Sequence, residues 1–495
     1  MKVALLQSSA MDYPNKPPFH PPLPYPELTE MGFSETETEN SVYGTVRDAL
    51  ALLGLDRPNF GTPYWNPLSP YVRSGAKVVI KPNFVLHEFG PQKGANCLTT
   101  NGSLIRAILD YVYLAAGRES KLVIADAPIQ GTDFERILEQ SGIPQIQEYY
   151  WRKLHHEIQV VDLRQVRAEI DESSGLITKV HDLAGDPRGY RIIDLGKESR
   201  LSQLDAPQNR YVVGDYDMTV TNRRHGNGRH EYVVSNTILE ANAFVSLPKL
   251  KTHNKVGVTA CLKNLIGIIG SKDCLPHHRH GRTTAGGDEF PDDYPLVWLA
   301  SNRVRAALQG RVSTPVWRAL RSSAEYLFGI GSQGPKSTTP DQKPFFPSGS
   351  WWGNDTIWRT VDDLNRILFF YDRNQDRLAE KSERAFFALV DGIIAMEGNG
   401  PLKGGPRRCG VLLAGDDPVA VDVVAATLMG FEWRRIPMLK GIAHANDSLR
   451  YSAFAGNETQ ISILTNEQRW QSLGAIRRAH LDFLPPAGWQ QQLRR

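Results

Sequence analysis

Five short apolar runs, each closing on a charged residue, set the strongest limit on how this chain folds: 77–81 (KVVIK), 121–126 (KLVIAD), 243–249 (AFVSLPK), 385–391 (AFFALVD) and 410–416 (GVLLAGD). Continuous apolar runs of this length suit strands buried on both faces rather than strands with one wet face. Helix-like segments lie between several of them, at 102–115, 134–140 and 418–429. The pattern predicts an α/β fold: a mainly parallel sheet flanked by helices, with an inserted β-rich subdomain and a loop/helix lid. In such sheets ligands bind beyond the carboxyl ends of the strands. Those ends are expected to carry Lys81, Asp126, Lys249, Asp391 and the pair Asp416/Asp417.

A chain of 495 residues exceeds what one compact core usually holds. Residues 1–40 read as an N-terminal strand followed by a proline-rich arm, and 41–150, 236–275 and 380–435 as the α/β core. Ser41 is the expected N-cap of a first helix that ends at Gly54. Residues 151–235 read as an inserted β-rich subdomain, 276–379 as a lid with a helical insertion, and 436–495 as a C-terminal extension. The formal net charge is only +3, from 57 Lys+Arg against 54 Asp+Glu. That balance argues against a protein built to coat nucleic acid or a membrane surface, and neither is an expected partner. No run approaches the roughly eighteen apolar residues of a membrane-spanning helix, and the first apolar stretch is too short for a signal peptide. Four isolated cysteines point to a reducing compartment, so a cytoplasmic location is expected.

The densest chemical cluster is 247–253 (LPKLKTH), followed by Lys255 and by 261–267 (CLKNLIG). In an extended chain Lys249, Lys251 and His253 project to one side. Residues 257–266 read as a helix that returns Lys263 and Asn264 to the same place. Several ammonium groups and an imidazole in so short a span suit a phosphate, carboxylate or enolate. A lysine crowded by other cations can also lose its proton near neutral pH and act as base or nucleophile. The bland reading is a solvated basic turn, which the apolar Cys261, Leu262, Leu265 and Ile266 argue against. Lys81 and Asn83 follow a buried strand, and Thr99 and Thr100 precede a helix whose free N–H groups would seat an anion; helix capping by Thr100 or Asn101 is the structural alternative. Asp126 and Asp391 are candidate ligands for a divalent cation such as Mg²⁺, or general acid/base groups.

Other features have structural explanations. Asp417 before Pro418 is a standard helix start. Asp422, inside an apolar helix, is expected to pair with a lysine. The glycine-rich 398–406 would let the backbone approach a ligand closely, although such segments are also ordinary loops. Cys274 with His277, His278 and His280 lacks the second half of a zinc motif, and a mobile basic lid is the better reading. In 351–366 (WWGNDTIWRTVDDLNR) Asp355 is the expected helix cap, and Arg359/Asp363 and Asp362/Arg366 the expected i,i+4 pairs.

At these residues the chain resembles a broad bacterial and archaeal family, domain of unknown function 362. The matching pieces are 79–83 (VIKPN), Thr99-Thr100, 124–126 (IAD), 247–253 (LPKLKTH), 262–267 (LKNLIG), 390–392 (VDG) with Gly400-Pro401, and 417–422 (DPVAVD). They run in the family's order through most of the chain. Many relatives carry a ferredoxin-like module with C-x-x-C spacing; here Cys97, Cys261, Cys274 and Cys409 stand apart, so no iron–sulfur cluster is expected. The resemblance implies a fold and a site but no reaction.

Taken together, these features lead to the expectation of a cytoplasmic enzyme acting on an anionic, phosphorylated or carboxylated, small molecule. Lys249, Lys251, His253 and Lys263 would neutralise its charge, Lys81, Asn83, Thr99, Thr100 and Asn264 would complete the cradle, and Asp126 and Asp391 would hold a metal ion or move a proton. The alternative is a non-catalytic ligand-binding or redox-accessory protein that lacks the family's cluster.

Overall fold

The computed structural model describes residues 1–87, 97–170, 177–204, 210–213, 216–293, 348–445 and 448–493. Ten strands make one sheet: β1 (Lys2–Gln7), β2 (Lys77–Pro82), β3 (Lys121–Asp126), β4 (Ile158–Asp162), β5 (Ala243–Leu247), β6 (Lys249–His253), β7 (Gly257–Thr259), β8 (Ala385–Asn399), β9 (Lys403–Gly415) and β10 (Ser462–Thr465). The order is β10-β1-β9-β8-β5-β2-β3-β4, with β6 pairing to the far part of β8 and to β7. Strands β4, β3, β2, β5 and β8 are mutually parallel, while β9 runs antiparallel to both β8 and β1.

The period of two explains why these runs are apolar throughout. Val78, Ile80, Leu122, Ile124, Ala243, Val245, Leu412 and Ala414 face one layer. That layer contains helices α1 (Ser41–Leu52), α2 (Gly102–Ala116) and α3 (Ile143–Leu154). The intervening Val79, Val123, Phe244, Val390, Val411 and Leu413 face a second core that includes α4 (Cys261–Asn264), α5 (Ile357–Phe370) and α6 (Pro418–Leu428). Each fully buried Val, Leu or Phe in such a layer contributes about 1.5–3 kcal/mol. Among the described residues, no helix is long and apolar enough to cross a membrane.

Several local expectations are corrected. Residues 151–162 do not belong to the insertion: they end α3 and form β4, the edge of the main sheet. The insertion proper includes a hairpin of Val166–Ile170 with Ile177–Asp182, and the strand Tyr190–Asp194 paired with Arg229–Ser235. The C-terminal region is likewise not wholly peripheral, because β10 pairs with β1. Residues 257–266 are not one helix: β7 comes first, then the short α4, then a 3₁₀ turn from Leu265 to Ile268. Asn40, not Ser41, caps α1 by accepting from the Tyr43 N–H.

At α5 the capping side chain is Asn354, whose Oδ1 accepts from the N–H groups of Thr356 and Ile357, while Asp355 pairs with Arg359. Asp363 accepts from Ser199, from the Arg200 N–H and from Tyr232, and Asp362 pairs with Arg200. Asp362 and Asp363 therefore tie the insertion to the core instead of pairing with Arg366 and Arg359 along the helix. His278 and Arg279 are a buried strand paired with Tyr211–Val212, so the histidine loop is packed structure. The helical stretch expected within 294–347 lies outside the described residues.

Helix α6 starts where expected. The Asp417 carboxylate accepts from the N–H groups of Val419 and Ala420, and also from the Ser452 hydroxyl and the Ala453 N–H. Asp417→Ala is expected to lower stability by about 2 kcal/mol, measured by urea denaturation, because a helix cap and a loop anchor are lost together. Asp417→Asn, which keeps an acceptor oxygen, should lose less.

Candidate functional site

The site is built where β5 gives way to β6. Pro248 separates the two strands, and its carbonyl accepts from the Asp391 N–H at 2.8 Å. Strand β6 then pairs with β8, Lys249 opposite Asp391 and Lys251 opposite Met396, across an irregular register. Asp391 is therefore not at a strand end: it lies inside the fifteen-residue β8, beside the irregularity between Gly392 and Ile394. The extended backbone of β6 sends Lys249, Lys251 and His253 to one side, and all three are buried.

Two of the buried lysines have counter-charges. Lys81 Nζ lies 2.7 Å from Asp126 Oδ1 and also donates to Asn264 Oδ1 at 3.2 Å, while the Phe84 N–H donates to Asp126 Oδ2 at 2.6 Å. Lys249 Nζ lies 3.0 Å from Asp391 Oδ2 and donates to the Tyr13 hydroxyl at 2.6 Å. That hydroxyl donates in turn to Asp391 Oδ1 at 2.5 Å. Burial lowers both lysines from their ordinary range, and the paired carboxylates oppose that shift. Burial also raises the Asp126 carboxyl, against the pull of Lys81.

The anion seat expected at the start of α2 is filled from within the chain. The Asn101 N–H donates to Asp391 Oδ2 at 3.1 Å, and Asn101 itself caps α2 through the Ser103 N–H. Thr100 is structural, donating to the Leu247 carbonyl and accepting from the Asn83 N–H; Thr99 beside it is half-buried.

Asn264 binds the floor of the site together. Its Nδ2 donates to the Lys81 carbonyl and the Ser246 hydroxyl, and its Oδ1 accepts from Lys81 Nζ and Asn83 Nδ2. Gly267 lets this segment press onto the first ion pair: a Cβ there would stand 2.0 Å from Asp126 Oδ1 and 2.5 Å from Lys81 Nζ. Asp422 holds the segment from the other side. Its expected lysine partner is replaced by the N–H groups of Cys261 and Leu262, at 2.7 and 3.1 Å, and burial pushes its carboxyl up to about 7.

Three further lysines have no carboxylate partner among the described residues. Lys251 Nζ donates to the Leu98 carbonyl at 2.8 Å, and Lys272 Nζ to the carbonyls of Ala127 and Ile266. Lys263 is partly reached by solvent, and its Nζ makes no hydrogen bond among the described residues. Burial depresses all three to about 7, aided at Lys251 by Lys249 and Lys263, and at Lys263 by Lys255 and Lys81. His253 and His277 are pushed well below the usual histidine range, first by burial and then by Lys263, so both rings are neutral. Two buried acceptors beside these groups, Asn83 Oδ1 and the hydroxyl of Thr259, have no partner among the described residues. Thr259 stands opposite Lys251 across β6 and β7.

The matched chemistry is therefore that of amines. Among the described residues, no three His, Cys, Asp or Glu side chains are grouped to hold a metal ion. Asp126 and Asp391 each face a lysine, which gives a donor set unsuited to the Mg²⁺ role expected of them. The glycines of 398–406 serve the hairpin between β8 and β9 and a close approach to Thr252, whose carbonyl would stand 2.0 Å from a Cβ at Gly400. All four cysteines are buried and free of disulfides.

A family model described as a domain of unknown function, DUF362, matches residues 78–182 and 195–427. The chain belongs to this family. The match takes in both ion pairs, the three unpaired lysines, Asn264 and Asp422, and leaves out Tyr13. A short stretch of 52 residues is 40% identical to a protein named thylakoid-associated protein sll1697 from Synechocystis sp., covering 10% of this chain and 16% of that protein.

Tyr13, Thr259 and Lys272 are the site residues that sequence reasoning missed, and it places His277 only in a mobile basic lid. Lys272 lies five residues beyond Gly267, in a segment with no periodic signal. Tyr13 sits in the proline-rich arm, 236 residues from the lysine it meets.

Asp126→Ala leaves the Lys81 ammonium buried without its counter-charge and is expected to cost about 3–5 kcal/mol in urea denaturation. The double variant Lys81→Met/Asp126→Leu should recover most of that loss, since removing both charges removes the unmet one.

Proposed function

We propose that DUF362 in this chain binds an anionic small molecule, phosphorylated or carboxylated, above Lys251, Lys263 and Lys272, and acts on it through its amines. One observation carries the reading: five lysines converge on this edge of the sheet, and among the described residues only two of them have carboxylates. Buried ammonium groups without counter-charges are costly, and a bound anion offsets that cost. Asn83 Oδ1 and Thr259 Oγ1 support it, as acceptors left open for a ligand's donors. The commitment of Asp126 and Asp391 to lysines favours this over metal-assisted chemistry. The reading also places the protein in the cytoplasm, in keeping with its four free thiols.

Sulfate tests the cradle by titration calorimetry, because its charge is constant near neutral pH. Lys251→Ala and Lys263→Ala should each weaken it by about tenfold or more, with melting temperatures close to that of the parent. Unchanged affinity in both variants would show that the anion does not sit here.

The pH dependence has a definite sign. Lys81 and Lys249 are balanced by Asp126 and Asp391, and His253 and His277 are neutral; beside the Asp422 carboxyl, which also titrates near 7, this leaves Lys251, Lys263 and Lys272 as the amines with protons to gain near pH 7. An anion favours their charged forms, so sulfate affinity should be highest below about 7 and fall by up to about tenfold per pH unit for each proton taken up. Calorimetry at pH about 8 in two buffers of different ionisation enthalpy should register net proton uptake on binding.

A further inference from the structure

We infer that Lys263 is a nucleophile that forms an imine with an aldehyde or 2-oxo acid held in this cradle. The inference rests on the anion-binding reading above and names the substrate class within it: a carbonyl compound that also bears a carboxylate or phosphate.

The lysines of the site are not equivalent. Lys81 and Lys249 are locked in ion pairs, Lys251 is fully buried against a carbonyl, and Lys272 is shared between two carbonyls. Lys255 donates to the Ser348 carbonyl. Lys263 alone among these six combines partial solvent access with an amine that makes no hydrogen bond among the described residues. Attack on a carbonyl needs such an amine, with a lone pair not tied to a proton that a neighbour holds. Its backbone is well fixed: Asp422 grips the two N–H groups just before it, and Asn264 anchors the residue just after it to β2 and β5.

The surroundings favour the uncharged amine. Lys81 and Lys255 repel a proton on Lys263, and the positive charge of Lys263 is in turn felt by Lys251, Lys272, His253 and His277. With its proton lost at about 7, a large share of Lys263 is free amine at neutral pH. An acidic group close by would reverse this, but the charges acting on Lys263 are those of Lys255 and Lys81, and Asp126 is already paired with Lys81.

The step balances without an oxidant or a metal. The neutral nitrogen attacks the carbonyl carbon, one of its hydrogens passes to the oxygen to give a carbinolamine, and the hydroxyl takes a second proton and leaves as water while the nitrogen's other hydrogen returns to that proton donor as the C=N bond forms. The neighbouring Lys251 ammonium is a suitable proton donor to the departing oxygen, and the remaining cations hold the substrate's own negative charge.

Borohydride trapping tests this. The full-length protein is incubated with pyruvate or with pyridoxal 5′-phosphate, reduced with sodium borohydride, digested and mapped by mass spectrometry, with sulfate affinity measured in parallel on the same preparation. The expected result is one stoichiometric reduced adduct on Lys263 with at least one probe, suppressed by excess sulfate and absent from Lys263→Arg, which keeps the charge and should keep the melting temperature. Normal sulfate binding with no adduct at Lys263 from either probe, or labelling spread over surface lysines, overturns the imine and leaves the cradle standing. Loss of both sulfate binding and the adduct overturns the cradle and the imine together.

Discussion

An ammonium group taken out of water must be met by a counter-charge, or it must surrender its proton. The centre of this protein uses both solutions within one cluster. Lys81 and Lys249 are met by Asp126 and Asp391, and those two pairs join β2 to β3 and β6 to β8. The floor of the site follows from them. Phe84, Asn101 and Asn264 are positioned by bonds to the same four side chains, and Gly267 is required because the turn after α4 rests directly on the first pair. Lys251, Lys263 and Lys272 take the other route, with burial weakening their hold on protons.

This division of labour alters the chemistry expected from residue types alone. A pair of aspartates near lysines reads naturally as a metal or acid/base site. Here each aspartate is spent on holding one lysine in place, and the groups left for a ligand are amines, a threonine hydroxyl and an asparagine carbonyl. The family match covers nearly all of these residues, so the arrangement lies within the part of the chain shared with its relatives.

Much of the frame was legible before any coordinates. The apolar runs at 77–81, 121–126, 243–249, 385–391 and 410–416 all became strands, because a run buried on two faces has no other economical conformation. The side-by-side projection of Lys249, Lys251 and His253 and the Asp417 cap were also readable, since each depends only on local geometry, whereas Asn264 meets Lys81 from a strand and short helix held by Asp422 and not from the expected single helix. What could not be read depends on contacts distant in sequence. Asp422 needed backbone donors rather than a lysine, and nothing in its own helix marks which donors will arrive. The pairs on α5 looked sufficient within the helix until the insertion supplied Ser199, Arg200 and Tyr232. Tyr13 sits among prolines that signal only an extended arm.

The place of β1 has a consequence for how the protein is made. Strand β1 lies between β9 and β10, and Tyr13 just after it completes the Lys249–Asp391 group. The segments it needs are synthesised some four hundred residues later. For most of translation the amino-terminal strand is therefore a loose end with exposed hydrogen-bonding edges, and its pairing carries the large loop-closure cost of a long-range contact. The lysine corner can close only once β8 has been made, so a product that stops short of it retains Lys249 without the Asp391 carboxylate that restrains it.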